Sequence, residues 1–357
     1  MATEEPSKKT HGKILRIFLA LIFLAIVGVA AFYKFYWLRS PQYSLGLIQK
    51  AIAQHDDAAF EKHVDVSRLS DDMVTVMIDT TVMTGEESGP FKDNFVAMVK
   101  NIALPAFNSQ IRTYVQQGVF QPIDTNNDGF AIAAAAIERM GFLNMEFKGI
   151  DKTARHNDTT VVTCKLYDKA LQQEFPLDIT MNRLEDGTWR LVHLSGLQTF
   201  VKNRDAAVLA KLLELNKPIK EKIGEKVRAV KDGSKTFSIK KVTENESGIP
   251  AYAIHATFSF ELLDPKVKRV KGQVLVYDAK GTQIFSRDFD SKNLDLSADQ
   301  QKKWGYSNIW HLNGQDPADK AVIAADFSTT TQDVLFTEVD MEDGSTLKYL
   351  TEIPDAK

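Results

Sequence analysis

The sequence contains only one cysteine, Cys164, in 357 residues. No intramolecular disulfide can form, so any domain outside the reducing cytoplasm must be held together by its hydrophobic core. Cys164 lies between Val162 and Leu166 in a run that alternates apolar and polar residues. This spacing places the thiol on the apolar face of a strand, where we expect a buried structural cysteine and not a nucleophile.

Catalytic motifs are also lacking. The sequence has no Gly-x-Ser-x-Gly elbow, no phosphate-binding loop and no dinucleotide-binding fingerprint. Its seven histidines include no His-x-x-x-His pair. Adjacent carboxylates such as Asp56 and Asp57 lie where helices are expected to begin, and there they complement the helix dipole. We therefore predict no catalytic residues and no cofactor.

One motif has the spacing of metal ligands. Asp124, Asn126 and Asp128 occupy positions one, three and five of a calcium loop, and Gly129 occupies position six. Position twelve is Ala135, where such loops carry a bidentate glutamate. We expect a turn that caps the next helix, and a weak structural Ca²⁺ site is the alternative.

The overall composition is that of a globular protein, with 44% hydrophobic and 25% charged residues. Six of the 44 basic and two of the 47 acidic residues precede Ser40, so the remainder carries a formal charge of −7. This mildly acidic balance argues against nucleic acid or anionic lipid as the main partner.

The N-terminal region contains an uncharged run, Ile17 to Tyr33, in which eleven of seventeen residues are Leu, Ile, Val or Phe. On a membrane-insertion scale these residues contribute roughly −3 to −7 kcal/mol. Arg16 and Lys34 flank the run and can reach the two interfaces, and an aromatic belt, Phe32, Tyr33, Phe35, Tyr36 and Trp37, follows on the far side. Residues 14–38 are therefore predicted to form one transmembrane anchor.

The distribution of basic residues predicts the orientation of this anchor. Lys8, Lys9, Lys13 and Arg16 precede it, which places a cytoplasmic tail at residues 1–13 and the rest of the chain outside the cytoplasmic membrane. A cleaved signal peptide is the alternative, because Val29-Ala30-Ala31 could serve as a cleavage site. We favour an uncleaved anchor, since the apolar run is longer than an ordinary signal-peptide core.

Residues 40–200 are predicted to form an α+β domain. Ser40 and Pro41 provide an N-cap and a first helical residue, and helical spacing continues to about residue 140, with an interruption near Pro105. A period of two follows, most clearly in Phe175, Leu177, Ile179 and Met181, and Asp186-Gly187 predicts a hairpin. Helices followed by an antiparallel meander resemble the cone-shaped sheets of NTF2-like (nuclear-transport-factor-like) and cystatin-like domains.

Residues 201–235 are predicted to be a helix and a linker, with the helix ending before Pro218. Residues 236–353 are predicted to form mainly short strands. Apolar and polar residues alternate from Tyr252 to Leu262, a hairpin is predicted at Asp278–Gly281, and another strand is predicted at Ala321–Phe327. We predict a β-sandwich of immunoglobulin-like type, although its Cys–Trp–Cys signature is absent.

The helix after the anchor carries a family resemblance. The run Ser40-Pro41-Gln42-Tyr43-Ser44-Leu45, followed by Ala51-Ile52, His55-Asp56, Phe60 and Val64-Asp65, resembles a bacterial family of membrane-anchored envelope proteins classed as a domain of unknown function. The resemblance covers roughly residues 20–200, includes the last strand with Trp189, and implies a membrane-anchored envelope protein without catalytic residues to transfer.

These features favour a single-pass bacterial envelope protein that binds or scaffolds another envelope protein and is held in the bilayer by its N-terminal helix. The alternative is binding or hydrolysis of a small ligand in a pocket of the α+β domain. Convergent side chains around His193 in a deep pocket would favour that alternative, whereas an interior filled by Trp189 and Phe142 would oppose it.

Overall fold

The computed structural model describes residues 25, 27–28, 32–34, 36–81, 90–119, 137–138, 140–230, 236–244, 250–292, 294, 303–314 and 316–354. The pattern of contacts divides the chain into two compact units, with the boundary between Ala207 and Val208. Helices and antiparallel sheets make this an α+β protein.

Most of the predicted anchor, residues 14–38, lies outside the described residues. Among the residues that the structure describes, no helix is both long and apolar enough to cross a membrane. Residues 32–34 are helical, and a short 3₁₀ helix, Trp37–Arg39, leads into the first unit.

The first unit begins with helices. Their bounds are Pro41–Ala53 (α1), Asp57–His63 (α2), Val66–Thr81 (α3) and Pro90–Gln117 (α4). Ser40 caps α1 by accepting a hydrogen bond from the Tyr43 N–H at 3.1 Å, and Asp56 caps α2 through the Ala59 N–H at 2.9 Å. Both helix starts follow the N-cap residues in the sequence.

The predicted interruption near Pro105 is wrong, because α4 continues through this residue. A proline removes one backbone hydrogen bond from a helix. The neighbouring Ala103, Ala106 and Phe107 are all buried in the core of the first unit, and this packing holds the helix together on both sides of Pro105.

A four-stranded antiparallel meander follows the helices, in the order β1-β2-β3-β4. The strands are Met145–His156 (β1), Thr159–Asp168 (β2), Gln173–Arg183 (β3) and Trp189–His193 (β4). In β3 the predicted face, Phe175, Leu177, Ile179 and Met181, is buried, while the alternate residues are not. Gly187 turns the β3–β4 hairpin with φ of +85°, as predicted for Asp186-Gly187.

The helix Leu197–Gly224 (α5) corrects the helix and linker that were expected at residues 201–235. The helix passes through Pro218, and Val227–Ala229 (β5) is already a strand paired with the second unit's sheet. Ile219 and Ile223 pack into the core of that unit, so burial extends the helix past the proline.

The second unit contains two antiparallel sheets. One has β10 (Lys303–Leu312) and β7 (Pro250–Leu262) side by side, with β5 and β6 (Thr236–Glu244) both paired to β7. The other has the order β12-β11-β8-β9, formed by Val267–Tyr277 (β8), Gln283–Asp290 (β9), Thr331–Met341 (β11) and Thr346–Lys348 (β12).

Aromatic side chains join these two sheets into one core. The Phe258 ring of β7 lies 4.9 Å from the Phe289 ring of β9, and the Phe260 ring lies 6.0 Å from the Phe336 ring of β11. All four residues belong to a single buried cluster. The alternation predicted from Tyr252 to Leu262 therefore places one face of β7 against the second sheet.

The strand predicted at Ala321–Phe327 is wrong. Pro317–Ala324 forms a short helix, α6, in which Val322 is buried. Asp319 accepts hydrogen bonds from the Arg287 guanidinium at 3.1 Å and from the Asn313 N–H at 2.7 Å. These contacts hold the first turn of the helix to β9 and to the end of β10. Because they involve residues distant in sequence, the local pattern of apolar residues could not predict them.

Candidate functional site

The second unit carries an open groove on the sheet formed by β8, β9, β11 and β12, with a volume of about 800 Å³. We call it the β8–β11 groove. Its lining combines charged, aromatic and hydroxyl side chains from all four strands, with Tyr306 from β10, and comprises Arg269, Lys271, Gly272, Gln273, Asp288, Phe289, Asp290, Lys292, Tyr306, Leu335, Thr337, Glu338, Lys348, Tyr349, Leu350 and Thr351.

A carboxylate held between two lysines lies in this groove. Glu338 is mostly buried and pairs with the Lys271 ammonium, and the Lys348 ammonium lies 3.3 Å from its other oxygen. Register places Glu338 directly opposite Lys271 on β8 and opposite Lys348 on β12. The hydrogen bond from Lys271 and the second one from Lys348 lower the pKa of Glu338, so this carboxylate is ionised at neutral pH.

A second ion pair lies between β8 and β9. The Arg269 guanidinium donates to both carboxylate oxygens of Asp290, with its Nε 2.9 Å from Oδ1. These hydrogen bonds lower the pKa of Asp290 to about 2. A bidentate arginine–carboxylate pair fixes the relative orientation of the two side chains more firmly than a lysine pair does.

Aromatic residues form the apolar part of the groove. Burial raises the pKa of both the Tyr306 and the Tyr349 hydroxyl groups. The Tyr349 Oη is buried and has no hydrogen-bond partner within the described part of the chain. Gly272 allows the Phe289 ring to approach β8, because a Cβ at this position would lie 2.7 Å from that ring.

The groove carries the kinds of side chain that are found in recognition surfaces. Its described lining contains no histidine or cysteine that could act as a base or nucleophile near neutral pH. It does contain oriented charges of both signs beside aromatic rings, which are the side chains that anchor partner groups in protein interfaces.

A second feature of interest is the junction between the N-terminal aromatic segment and the first unit. Trp189 is fully buried, and its Nε1–H donates to the Arg39 carbonyl oxygen at 2.8 Å. The backbone N–H of Trp189 donates to the Ser44 hydroxyl at 2.9 Å. The last strand of the sheet thus binds the start of α1 and the residue immediately before its cap.

Aromatic side chains fill the interior of the first unit, where binding or hydrolysis of a small ligand would need a pocket. Trp189, Phe107 and Phe200 are each at most 1% exposed, and Phe142 stacks on Phe200 with ring centroids 5.7 Å apart. A surface cavity of about 570 Å³ does lie between α1 and β1, and its described lining includes Asp151 and no histidine.

His193 does not converge on a pocket. Strict alternation along β4 would place this histidine on the same face as Trp189 and Leu191, but its side chain is 47% exposed and its Nδ1 lies 3.3 Å from the Asp72 carboxylate. An irregularity in the β3–β4 pairing aligns Thr180 with His193 and Met181 with Leu191, which skips one residue. This bulge reverses the alternation and turns the imidazole outward.

The other sequence-predicted residues are placed as follows. Cys164 is a free, buried thiol, as expected, and burial raises its pKa to about 11. The candidate calcium ligands Asp124, Asn126 and Asp128 lie outside the described residues. Within the described chain, no cluster of histidine, cysteine, aspartate or glutamate has the geometry of a metal site.

No protein-family model and no curated protein matches this sequence. The resemblance of the run from Ser40 to Leu45 to the envelope family therefore stays a prediction. The β8–β11 groove was not predicted from the sequence, since its lining residues extend from Arg269 to Thr351 and come together only through strand pairing.

Proposed function

We propose that this chain is a membrane-anchored, extracytoplasmic binding or scaffold protein of the bacterial envelope, and that it binds an envelope protein through the β8–β11 groove. The observation that carries this proposal is the groove's lining, in which Glu338 is held between Lys271 and Lys348 beside the aromatic rings of Tyr306 and Tyr349. Such a surface offers oriented charges for specificity and apolar area for affinity.

Membrane anchoring is supported by the uncharged run from Ile17 to Tyr33 and by the aromatic side chains that follow it. Phe32, Tyr33, Tyr36 and Trp37 are all exposed. Clusters of exposed aromatic residues beside an apolar run are typical of the bilayer interface. We propose residues 14–38 as an uncleaved single-pass anchor with the N-terminus in the cytoplasm.

An immunoglobulin-like sandwich is the finer fold that we propose for the second unit. The chain crosses between its two sheets from β7 to β8, from β9 to β10 and from β10 to β11, so that strands adjacent in sequence lie in different sheets. Such crossings are typical of Greek-key sandwiches of this type. For the first unit, helices packed on one face of a meander support an NTF2-like or cystatin-like fold.

Photo-crosslinking in cells tests the groove. A photoreactive amino acid at Thr351, in the groove, should capture a specific envelope protein, whereas the same amino acid at the exposed Thr257, on β7 of the other sheet, should not. With the purified captured protein, Lys348→Glu should weaken binding roughly tenfold, or about 1.4 kcal/mol. The matched control Lys280→Glu, in the hairpin between β8 and β9, should leave the affinity unchanged.

Equal capture from Thr351 and Thr257, or equal affinities for the two lysine variants, would reject the groove as the binding surface. Topology is tested separately by a reporter that is active only in the cytoplasm. Fused after Lys357, this reporter should be inactive, and an active reporter would refute the extracytoplasmic placement.

A further inference from the structure

Both turns at one end of the first unit's sheet lie beside the residue where the aromatic segment enters the fold. A Cβ on Gly187, in the β3–β4 turn, would lie 3.1 Å from the Arg39 side chain, so the two residues are packed together. Arg155, beside the β1–β2 turn, lies over the Trp189 ring at 5.2 Å. The indole of Trp189 in turn donates to Arg39, so one residue of the junction is in contact with this end of the sheet.

The aromatic segment itself has large apolar side chains that the fold does not cover. Phe32, Tyr33, Tyr36 and Trp37 are 59%, 54%, 67% and 46% exposed. Phe32 and Tyr36 stack with ring centroids 5.0 Å apart, and the Tyr36 N–H donates to the Phe32 carbonyl at 2.9 Å. The stacked rings of Phe32 and Tyr36, with the exposed Tyr33 and Trp37 next to them in sequence, are the kind of aromatic side chains that lie in the headgroup layer of a bilayer.

Residues 36–41, all of which the structure describes, connect this segment to the fold through a hydrogen-bonded turn. The 3₁₀ turn Trp37–Arg39 is closed by two hydrogen bonds to the Trp37 carbonyl, from the Ser40 N–H at 3.0 Å and from the Ser40 hydroxyl at 2.8 Å. The next residue, Pro41, is the first of α1. A bilayer interface at Trp37 is therefore within one or two helical turns of the sheet.

We propose that this end of the first unit, formed by residues 155–158 and 184–188, rests on the surface of the membrane that holds the anchor and contacts lipid headgroups. The inference rests on the proposed anchoring and adds the orientation of the unit. The basic side chains Arg39, Arg155 and Lys62 lie at this end or beside it. The two turns also carry the carboxylates Asp158, Glu185 and Asp186, of which Asp186 pairs with Lys62 at 2.7 Å. Cationic groups beside exposed aromatic rings suit the phosphate layer of the headgroups.

The opposite end of the sheet points away from the bilayer in this arrangement. It contains the β2–β3 turn at residues 169–172, while β3 runs from Gln173 to Arg183 between the two ends. At about 3.3 Å per residue, a strand of this length separates the two turns by roughly 30 Å, which is comparable to the thickness of the hydrocarbon core.

Fluorescence quenching by lipid measures this orientation in the full-length chain. Glu185→Cys and Glu174→Cys are a matched pair at exposed glutamates near the two ends of β3. Each variant is labelled with a fluorophore and reconstituted into vesicles of phosphatidylethanolamine and phosphatidylglycerol that contain a headgroup-labelled quencher. Cys164 is buried, so labelling of the unsubstituted chain provides the background.

Quenching at position 185 should exceed quenching at position 174 at least roughly threefold, because the strand holds the two sites tens of ångströms apart. A second pair, Asp158→Cys and Lys169→Cys, controls for local effects of either substitution. Quenching at position 158 should likewise exceed quenching at position 169. Equal quenching, or stronger quenching at 174 and 169, in chains that float with the vesicles would overturn the orientation alone. If the chains fail to float with the vesicles, the proposed anchoring is overturned as well.

Discussion

Replacing Trp189 by phenylalanine tests whether the junction between the aromatic segment and the first unit depends on one hydrogen bond. The indole is fully buried, and its Nε1–H is 2.8 Å from the Arg39 carbonyl oxygen. Loss of this donor in a buried setting costs about 1–3 kcal/mol. The smaller ring also leaves space that costs about 1 kcal/mol at ~24 cal/mol per Å³ of cavity. Trp189→Phe should therefore destabilise the first unit by about 2–4 kcal/mol.

Hydrogen exchange followed by mass spectrometry resolves this effect for each unit separately. The most protected amides of β2 and β3 should exchange roughly 30 to 700 times faster in the variant, since each 1.4 kcal/mol is a factor of about ten. Protection in β8 and β11 reports on the second unit and serves as the internal reference. Trp310→Phe, at a partly buried tryptophan of the second unit, is the matched control and should leave β2 and β3 unchanged. An acceleration of less than about threefold in Trp189→Phe would refute the assigned role of the hydrogen bond.

Three further perturbations have expected outcomes. Asp168 is fully buried and accepts a hydrogen bond from the Arg204 Nε at 2.9 Å. Asp168→Asn should therefore lower the free energy of unfolding of the first unit by about 3–5 kcal/mol. Urea titration measures this loss, and an unchanged midpoint would contradict it. Gly272→Ala places a Cβ 2.1 Å from a carbonyl oxygen of β11, so the second unit should lose about 1–3 kcal/mol or more, which calorimetry would detect as a fall in its melting temperature. The pKa of Asp290 is lowered to about 2 by Arg269, against about 3.9 in an unfolded chain, so the stabilisation is present above pH ~4 and is lost as the pH falls towards ~2. Arg269→Gln should reduce this pH dependence of unfolding, and an unaltered dependence would show that the ion pair is not its source.

The parts of the fold that were predicted from the sequence are those with local causes. The alternation from Phe175 to Met181 specifies a face of β3 because side chains in a strand point to opposite sides in turn. Gly187 marks a turn because its φ of +85° is one that other residues rarely adopt. Cys164 was expected to be buried for the same reason of alternation, and it is.

The parts that could not be predicted depend on contacts between distant residues. Pro105 and Pro218 both lie inside helices, since burial of neighbouring side chains outweighs the hydrogen bond that each proline removes. The outward position of His193 follows from a bulge in its pairing with β3, and a bulge changes the phase of a strand without any local sequence signal. The β8–β11 groove likewise depends on register, which brings Glu338 opposite Lys271.

Several residues that carry the family resemblance form hydrogen bonds that stabilise this fold. Their presence therefore says little about function. Ser40 caps α1, Ser44 accepts from the Trp189 backbone, and Asp56 caps α2. Each of these polar side chains satisfies a backbone donor that would otherwise be unpaired, so selection for folding alone is enough to require them. The proposed recognition would then have to come from other residues. Two side chains in the β8–β11 groove do not satisfy buried backbone groups in this way. Lys348 is 63% exposed, and the Tyr349 Oη has no hydrogen-bond partner in the described chain. Substitution of an exposed groove side chain such as Lys348, unlike substitution of Gly272 or Arg269, should therefore alter the proposed binding with little effect on the fold.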